Sequence, residues 1–260
     1  MKPLILVTND DGIGAPGIKA LIEVALEFGD VLVVAPDSPQ SGQGHAITLE
    51  HPLRLYKVEL FDGIEAYECS GTPVDCVKMA KHVLTKNRKI DLCVSGINHG
   101  SNSSINIIYS GTMSAAMEAS IEKIPSIGFS LLNYRMDADF SAAQLYAGQI
   151  IESVLEKGLK DTLLLNVNIP NLPIESIKGT KVCRQAEGHW AEEFIPNVDP
   201  SGRPYYWLSG RFNCEDPGED TDIWALEHGF VSIVPSMHDL TAHKAIPKLS
   251  HLNYTPTKHD

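Results

Sequence analysis

The chain has 260 residues, 43% of them hydrophobic, and a formal net charge of -12 at pH 7. This length and apolar content allow one large α/β domain with an appendage, or two small domains. The acidic balance disfavours DNA, RNA and anionic membranes, because those partners are captured by surfaces rich in lysine and arginine. We therefore expect no nucleic-acid polymer and no membrane among its partners.

Neither a targeting segment nor a disulfide framework is indicated. The first apolar run is short and ends at Asn9, so it has neither a signal-peptide core nor the length to span a membrane. The five cysteines are odd in number, widely spaced and without a C-x-x-C pair. We expect a cytoplasmic protein with buried free thiols.

The first predicted unit is a strand, a polar loop and a helix. Residues 4–8 form an uninterrupted apolar run, and residues 18–28 carry apolar side chains at helical spacing until Gly29 ends the helix. The next apolar run, residues 31–35, is also continuous. Continuous runs are typical of parallel strands whose two faces are both covered by helices.

The alternation of strands and helices continues along the chain. Thr72, Pro73 and Asp75 predict a helix start, because Thr caps, Pro needs no acceptor in the first turn and Asp complements the dipole. The further predicted elements are a strand at 91–95, a polar turn at 96–102, a helix from 110 to about 121, a strand at 125–129, a helix at 142–155 and a strand at 163–167. This order predicts an α/β fold with a mostly parallel sheet.

The last third of the chain has a different texture. From residue 178 onward, short strand-like pieces such as 205–208 and 230–234 alternate with connectors rich in Gly, Pro and Asp. We predict a core over residues 1–177 and a β-rich C-terminal extension over residues 178–260. Such an extension has little core of its own, so it must pack on the α/β body or on another subunit.

Oxygen-bearing side chains follow three of the predicted strands. Asp10 and Asp11 follow the first strand, Ser41 the second and Asn98 the third. The carboxyl ends of parallel strands line one edge of a sheet, so these side chains are expected to meet there. Two carboxylates, a hydroxyl and an amide oxygen suit Mg²⁺, Mn²⁺ or Ca²⁺ rather than Zn²⁺. The alternative is a loop in which Asn9 and the aspartates only cap the next helix.

Other segments suggest phosphate binding. Ser70–Thr72 and Ser110–Thr112 each place hydroxyl and N–H groups at a helix start, where the dipole favours anions. Taken alone, each segment is better explained as a plain N-cap. Asn102 and Asn106 could supply further donors or lie in a solvated loop. His45 is the histidine nearest the predicted site, and its alternatives are a catalytic role or a structural hydrogen bond.

Three other classes of nucleotide or phosphate protein fit less well. Gly12, Gly14 and Gly17 spell the G-x-G-x-x-G dinucleotide fingerprint. However, the adjacent carboxylates would repel a pyrophosphate, and Pro16 removes a backbone donor. A response-regulator receiver would need an aspartate at the end of the third strand, where Ser95 stands. The paired aspartates are adjacent and so do not form the D-x-D of aspartyl-phosphate phosphatases.

Motifs spread over nearly the whole chain resemble the SurE family of survival-protein nucleotidases. The segments that carry the resemblance are Thr8–Gly12, Ala15–Gly17, Ala35–Asp37, Gln40–Gly42, Ser70–Val77, Val94–Asn102, Tyr109–Glu118, Asp220–Asp222 and Asp239–His243. The departures are small: Thr8 stands where Ser is commoner, and the segment 99–101 differs in a loop expected to touch the substrate. This second difference bears on base preference rather than on the reaction.

The resemblance implies a Rossmann-like three-layer sandwich and a divalent-metal phosphatase. The implied substrates are nucleoside 5′- and 3′-monophosphates, and cleavage of short polyphosphate is left open. The implied assembly is a homodimer or homotetramer in which the C-terminal extension is exchanged between subunits. A non-catalytic regulator that binds metal and nucleotide is the alternative, because the same ligands would be present without turnover.

The family pattern also assigns roles to individual positions. One divalent ion per subunit, Mg²⁺ or Mn²⁺ with Ca²⁺ as a further candidate, is expected on the same four residues as the strand-end argument, namely Asp10, Asp11, Ser41 and Asn98. The predicted catalytic residues are Asp10, Asp11 and Asn98. The predicted phosphate- and substrate-binding residues are Asn9, Gly42, His45, Asn102, Ser110, Gly111 and Thr112.

Overall fold

The structure is a computed structural model and describes residues 2–254. Within that range the strands are β1 (Leu4–Thr8), β2 (Asp30–Pro36), β3 (Leu55–Val58), β4 (Glu65–Cys69), β5 (Leu92–His99), β6 (Ser126–Leu131), β7 (Leu164–Ile169), β8 (Thr180–Val182), β9 (Gly188–Val198), β10 (Pro204–Cys214) and β11 (Val231–Ser236). The α-helices are α1 (Pro16–Phe28), α2 (Pro73–Met79), α3 (Gly111–Ile121), α4 (Ser141–Lys157) and α5 (Asp222–Glu227). A π-helical turn over Ala80–Leu84 extends α2, and 3₁₀ turns cover Ser104–Ile108, Ile174–Ser176 and His243–Leu252.

One large sheet forms the centre of the molecule. Its strand order is β3-β4-β2-β1-β5-β6-β7-β11-β8. The six strands from β4 to β7 in this order are parallel, whereas β3 at one side and β11 at the other pair antiparallel with their inner neighbours. The predicted α/β fold with a mostly parallel sheet is therefore confirmed.

Helices cover both faces of this sheet and make a three-layer structure. On one face, α1 and α4 pack with one set of strand side chains in the larger core, which includes Leu21, Ala147 and Phe129. On the other face, α2 and α3 pack against the alternate strand side chains, with Val77 and Ala119 in the second core. The central strands are buried on both faces, which is why they read as continuous apolar runs in the sequence.

Helix α2 begins as its sequence predicts. The Thr72 side chain accepts from the backbone N–H of Asp75, and the Asp75 carboxylate accepts from the backbone N–H of Thr72. This reciprocal capping box satisfies two donors that the first turn would otherwise leave free. Helix α1 begins at Pro16, two residues before its predicted start, with proline in the first turn. Gly29 ends α1, and its backbone is extended rather than left-handed.

The predicted end of the third strand was wrong. The sequence places a polar turn from residue 96, whereas β5 continues to His99, and Asn98 pairs with Ser130 of β6. The register shifts between Ser95 and Asn98, so the strand is irregular where its sequence becomes polar. Apolar periodicity does not detect such a continuation, because Gly96 and Asn98 interrupt the apolar run and the strand continues through its pairing with β6.

The segment beyond residue 178 contributes to the central sheet as well as to the surface. β11 pairs antiparallel with β7, and β8 pairs parallel with β11. β9 and β10 form a separate antiparallel hairpin in which Gly188 pairs with Cys214 and Val198 with Pro204. The predicted β-rich extension therefore packs on the α/β body through two strands, and the β9–β10 hairpin forms its own two-stranded sheet.

Buried hydrogen bonds attach the base of this hairpin to the body. The carboxylate of Asp222 accepts from the backbone N–H of Ser104 at 2.7 Å and of Ala186 at 2.9 Å. The hydroxyl of Ser104 donates to the carbonyl of Ala186 at 2.8 Å and accepts from the N–H of Gly188 at 3.1 Å. These contacts fix where β9 starts relative to the loop after β5.

Two further expectations concern membranes and thiols. Over residues 2–254, no helix combines the length and the apolar character that crossing a bilayer requires. All five cysteines are free thiols, and four of them are buried while Cys214 is half-buried.

Candidate functional site

The candidate site lies where the strand order of the sheet changes direction. From β1 the sheet continues through β2 and β4 on one side and through β5, β6 and β7 on the other. In open α/β sheets, ligands bind outside the carboxyl ends of the strands at such a switch point. Asp10 and Asp11 follow β1 directly, and Asn98 lies near the carboxyl end of β5, so all three stand at this position.

Asp10 is a buried carboxylate with few partners for its charge. Its residue is only 3% exposed, and its Oδ1 accepts a short hydrogen bond from the hydroxyl of Thr112. Burial, reinforced by the nearby charge of Asp11, raises the pKa of Asp10 to about 6, although the Thr112 hydrogen bond acts in the opposite direction. A carboxylate in this environment would be stabilised by a cation.

Burial also raises the pKa of Asp11, and the neighbouring His99 opposes that rise. Two raised carboxyl pKa values side by side indicate a site that is short of positive charge, which is typical of functional positions.

The amino-terminal end of α3 contacts Asp10. A Cβ added to Gly111 would lie 2.6 Å from the Cβ of Asp10, so only glycine permits this close approach. Ser110 caps the helix, with its hydroxyl accepting from the N–H of Met113 at 3.0 Å. The N–H groups of the first turn have no acceptor within the helix, and together with the dipole they favour an anion at this end.

Asn98 and Ser41 bring neutral oxygen atoms to the same place. The Asn98 side-chain nitrogen donates to the carbonyls of His99 at 3.3 Å and Gly100 at 3.0 Å. Both bonds use the nitrogen, which leaves Oδ1 for a ligand. Ser41 is positioned by its neighbour Gln40, whose N–H donates to the carbonyl of Asp10 at 2.7 Å.

A cavity of about 200 Å³ opens between these residues. Six of the eleven predicted site residues line it, namely Asp10, Ser41, Gly42, Asn98, Asn102 and Ser110. The other lining residues are His99, Gly100, Ser101, Asn106, Tyr109, Tyr134 and Trp190. The site thus combines carboxylate, hydroxyl and amide groups with a rim of aromatic side chains.

Five of the predicted site residues lie behind or beside this cavity. Asn9 donates to the carbonyl of Gly12 at 2.8 Å and so holds the turn after β1. Asp11 is half-buried beside the backbone of His99. Gly111 and Thr112 contact Asp10 from behind.

His45 is the fifth of these residues, and it holds a loop. Its Nε2 lies 2.9 Å from a carboxylate oxygen of Glu118 on α3. Glu118 is 3% exposed, and its other oxygen accepts from Lys78 of α2 at 2.5 Å. The hydrogen bond from His45, followed by that from Lys78, lowers the pKa of Glu118. The contact between His45 and Glu118 therefore holds the loop that carries Ser41 against α3.

Asn102 belongs to a buried amide network. Its side-chain nitrogen donates to Ser130 at 2.8 Å, and its backbone N–H donates to Asn168 at 2.8 Å. Asn166 donates to the carbonyl of Asn102 at 2.8 Å and accepts from Asn168 at 2.9 Å. The network fixes the loop after β5 against the ends of β6 and β7, because each amide satisfies another.

The donor set fits a hard divalent cation. Asp10, Asp11, Ser41 and Asn98 offer only oxygen atoms, whereas zinc prefers His and Cys ligands. Over residues 2–254, no group of three or more His, Cys, Asp or Glu side chains lies together as a metal site, so the two aspartates are the charged members of this donor set. Beside the two aspartates, Oδ1 of Asn9 and the hydroxyls of Thr8 and Ser95 are buried without a hydrogen-bond partner among residues 2–254. Unpartnered buried polar atoms beside two carboxylates indicate a place built for bound water or an ion.

The glycine-rich loop after β1 has few free backbone N–H groups for binding a pyrophosphate. The N–H of Ile13 donates to the carbonyl of Pro36 at 2.9 Å, and that of Ala15 to Gly12 at 3.1 Å. Two of the backbone donors are therefore already used within the protein, which agrees with disfavouring a dinucleotide site.

Sequence reasoning missed the aromatic rim. Tyr134 follows the carboxyl end of β6, and its 76% exposure is a signal that only the structure reveals. Trp190 lies in β9, and its indole N–H donates to the side chain of Asn106, 84 residues earlier, at 2.8 Å. Asn106 was noted as a donor, but nothing in the sequence pairs it with a tryptophan.

The fold and site define a doubly wound α/β protein with an all-oxygen, metal-compatible pocket at its switch point, beside a helix amino terminus. The family model described as "Survival protein SurE" matches residues 5–192. The chain belongs to the SurE family.

Individual relatives are similar over nearly their whole length. A protein of Cytophaga hutchinsonii named 5′-nucleotidase SurE is 58% identical over 249 residues, which is 96% of each chain. A protein of the same name from Christiangramia forsetii is 60% identical over 251 residues, again 96% of each chain. The crystal structure of the SurE protein from Aquifex aeolicus superposes with a TM-score of 0.83 at 41% identity, covering 96% of this chain and 99% of the other.

Proposed function

We propose that this protein is a metal-dependent phosphomonoesterase that hydrolyses nucleoside 5′-monophosphates, and also 3′-monophosphates, to nucleoside and phosphate. The observation that carries the proposal is the contact of buried Asp10 with Gly111 at the amino terminus of α3, beside a cavity that Asp10 and Ser110 line. That arrangement offers a cation site and an anion site side by side. The relatives named 5′-nucleotidase SurE support the same reaction class.

Asp10, Asp11, Ser41 and Asn98 would hold one divalent ion, Mg²⁺ or Mn²⁺, with Ca²⁺ as a further candidate. When bound, such an ion polarises a phosphoryl oxygen and lowers the pKa of a water molecule. Asp10 or Asp11 would orient that water. The hydrogen bond from Thr112 favours the ionised form of Asp10.

The protein's own donors would hold the phosphate group. The N–H groups of Gly111 and Thr112 stand at the start of α3, where backbone donors and dipole favour negative charge. Ser110 and Asn98 line the cavity in front of them. Donors aimed at phosphoryl oxygens stabilise the charge that develops during transfer.

A further part of the proposal concerns assembly and location. We propose a homodimer or homotetramer in the cytoplasm, with the β9–β10 hairpin at the subunit interface. Phe194, Tyr206, Trp207 and Leu208 on this hairpin are each at least 61% exposed. An apolar surface of this kind marks an interaction site. The net charge of -12 argues against nucleic-acid polymers as partners.

The test is phosphate release from a panel of nucleoside monophosphates with Mg²⁺ or Mn²⁺, repeated after chelation. We expect release that requires the metal and stops with the chelator. Inorganic short polyphosphate belongs in the same panel. Stoichiometric nucleotide binding without release under any metal would contradict the proposal and favour a binding regulator.

A further inference from the structure

A second, larger cavity adjoins the candidate site. It has a volume of about 750 Å³ and shares Ser101, Asn106, Tyr134 and Trp190 with the cavity of about 200 Å³. The shared residues make one continuous depression, with Asp10 in the small cavity and the start of α5 in the large one. We call the larger part the aromatic cavity.

Aromatic rings form the walls where the two cavities meet. The Trp190 ring is fixed by its hydrogen bond to Asn106 and packs edge to face against Phe212, with the centroids 5.9 Å apart. The Tyr134 ring lies against the backbone of Gly100, where an added Cβ would come within 2.2 Å of Cε1. Both rings also line the edge of the small cavity. Fixed aromatic faces of this kind bind nucleobases, since every base offers a π-face.

The far part of the aromatic cavity is acidic. Glu215 and Glu227 line it, and neither carboxylate has a hydrogen-bond or ion-pair partner within residues 2–254. Over the same described range, no lysine or arginine contributes to its lining. Two uncompensated carboxylates repel phosphate, whereas they do not oppose uncharged groups and can accept hydrogen bonds from amino or hydroxyl groups.

We propose that the aromatic cavity binds the nucleoside part of the substrate, with Tyr134 and Trp190 contacting the base, and that Glu215 and Glu227 exclude substrates carrying a second phosphate. This inference rests on the proposed function and adds to it a substrate rule: one phosphate in the small cavity and an uncharged nucleoside beside it. Nucleoside monophosphates are then preferred over nucleoside 3′,5′-bisphosphates and over short polyphosphate.

The base contact is tested with substrates that differ only in the base. The ratio of kcat/KM for adenosine 5′-monophosphate to that for ribose 5-phosphate is compared in the wild type and in Tyr134→Ala. We expect the wild type to prefer the nucleotide, and the variant to lose roughly tenfold of that preference, as removal of one stacking partner does. Tyr56→Ala is the control, because Tyr56 is also exposed but lies on β3 at the edge of the sheet.

Failure of this inference is distinguishable from failure of the proposed function. Equal kcat/KM for the two substrates in the wild type would overturn the base contact while leaving a phosphatase. Binding of unphosphorylated adenosine, measured by calorimetry, tests the cavity without any turnover. The base contact would be overturned if the wild type did not bind adenosine, or if Tyr134→Ala bound it equally well. Either result would hold whether or not the protein is a phosphatase.

The charge rule has its own variant. Glu215→Gln combined with Glu227→Gln should raise the kcat/KM for adenosine 3′,5′-bisphosphate relative to the monophosphate by roughly fivefold at low salt, the scale of removing near-surface repulsions. Glu219→Gln, on the same exposed segment but outside the cavity, should leave the ratio unchanged. A ratio that does not move in the double variant would contradict the exclusion rule.

Discussion

The site at the carboxyl edge of the sheet and the β9–β10 hairpin differ in what they bury. At the edge, polar groups are enclosed: Asp10 is 3% exposed and Asn168 is fully buried in its amide network. On the hairpin, large apolar side chains face outward, with Trp207 62% and Leu208 64% exposed. At the edge, the amides satisfy one another, but the buried charge of Asp10 is unfavourable and a cation can relieve it. On the hairpin, the exposed apolar area can be covered by another chain.

The two regions therefore differ in what we expect of them: chemistry at the sheet edge and assembly at the β9–β10 hairpin. The edge residues are held by the sheet, the caps of α2 and α3 and a set of buried hydrogen bonds, all of them contacts within one chain. The hairpin has no core beneath it, since almost every residue of β9 is exposed. Variants in the two regions should therefore change different properties, and the following predictions test that separation.

The largest effect is expected at Asp10. Asp10→Asn should reduce metal-dependent phosphate release by more than about a hundredfold. Removing a residue that only orients a metal ligand costs about 10- to 100-fold, and removing the ligand itself should cost more. The folded metal-free protein should not lose stability. Phosphate release and circular dichroism check both statements, with exposed Asp62→Asn as the control for loss of one carboxylate. Full activity in Asp10→Asn would remove Asp10 from the site.

The same variant has a stability signature that depends on pH. The pKa of Asp10 is about 6 when folded and 3.8 as its usual value, so the folded state binds the proton more tightly. The contribution of Asp10 to the free energy of unfolding is fully present below pH 3.8 and is lost as the pH rises through about 6. Above that pH the ionised carboxylate costs roughly 3 kcal/mol, which Asp10→Asn removes. Metal-free Asp10→Asn should melt several degrees higher than wild type at pH 7.5, with the gap closing toward pH 4.5; a lower Tm at both pH values would contradict this.

The next effect concerns assembly. Trp207 pairs with Ile195 across the hairpin, and both are exposed. Trp207→Asp should shift the protein to a smaller assembly in light scattering, since a central aromatic contact is worth roughly 2 kcal/mol or more. Its Tm should change little if the side chain supports no core. Gln149→Asp on the exposed surface of α4 is the control, and an unchanged mass for Trp207→Asp would place the interface elsewhere.

A smaller effect is expected in the amide network. Asn168→Ala leaves the buried N–H of Asn102 and the carbonyl of the Asn166 side chain without their partner. This should lower the free energy of unfolding by roughly 1–3 kcal/mol, measured by urea denaturation. Asn87→Ala, at an exposed position, should leave it unchanged. Equal stabilities for the two variants would show that the network contributes nothing.

The smallest effect is expected at His45. His45→Ala removes the contact to Glu118 and loosens the loop that carries Ser41. We expect the metal concentration for half-maximal activity to rise a few-fold, because part of the free energy of one charge-assisted hydrogen bond, about 1–2 kcal/mol, is used to order this loop. The kcat at saturating metal should be nearly retained. His51→Ala in the same loop is the control, because His51 is exposed. A loss confined to kcat would instead indicate a catalytic role for His45.

The stability that the contact between His45 and Glu118 provides should depend on pH. Its pKa is lowered by His45 and then by Lys78, so its contribution to stability is present above the ordinary pKa of a glutamate and is lost as the pH falls through the lowered value. Wild type and Glu118→Gln should therefore converge in Tm as the pH is lowered toward that region. A gap that stays constant down to acid unfolding would contradict the assignment.

Much of the candidate site could be predicted from the sequence, because its polar residues lie where strands end. Asp10 and Asp11 interrupt an apolar run, and Thr72 and Ser110 are recognisable caps, so their local surroundings alone place them at the sheet edge. Sequence reasoning failed on the end of β5, where pairing with β6 extends a strand through a polar segment. Local patterns report burial and turns, whereas such a continuation depends on a neighbouring strand.

The sequence by itself determined the parallel α/β core and the four oxygen-bearing ligand candidates, because apolar periodicity and capping residues act over a few positions. Only the tertiary structure decided that His45 contacts Glu118 rather than lining the cavity, and that Trp190 meets Asn106. These pairs lie 73 and 84 residues apart in the chain. Contacts over such separations are set by how the sheet, the helices and the hairpin pack together, and no local pattern carries that information.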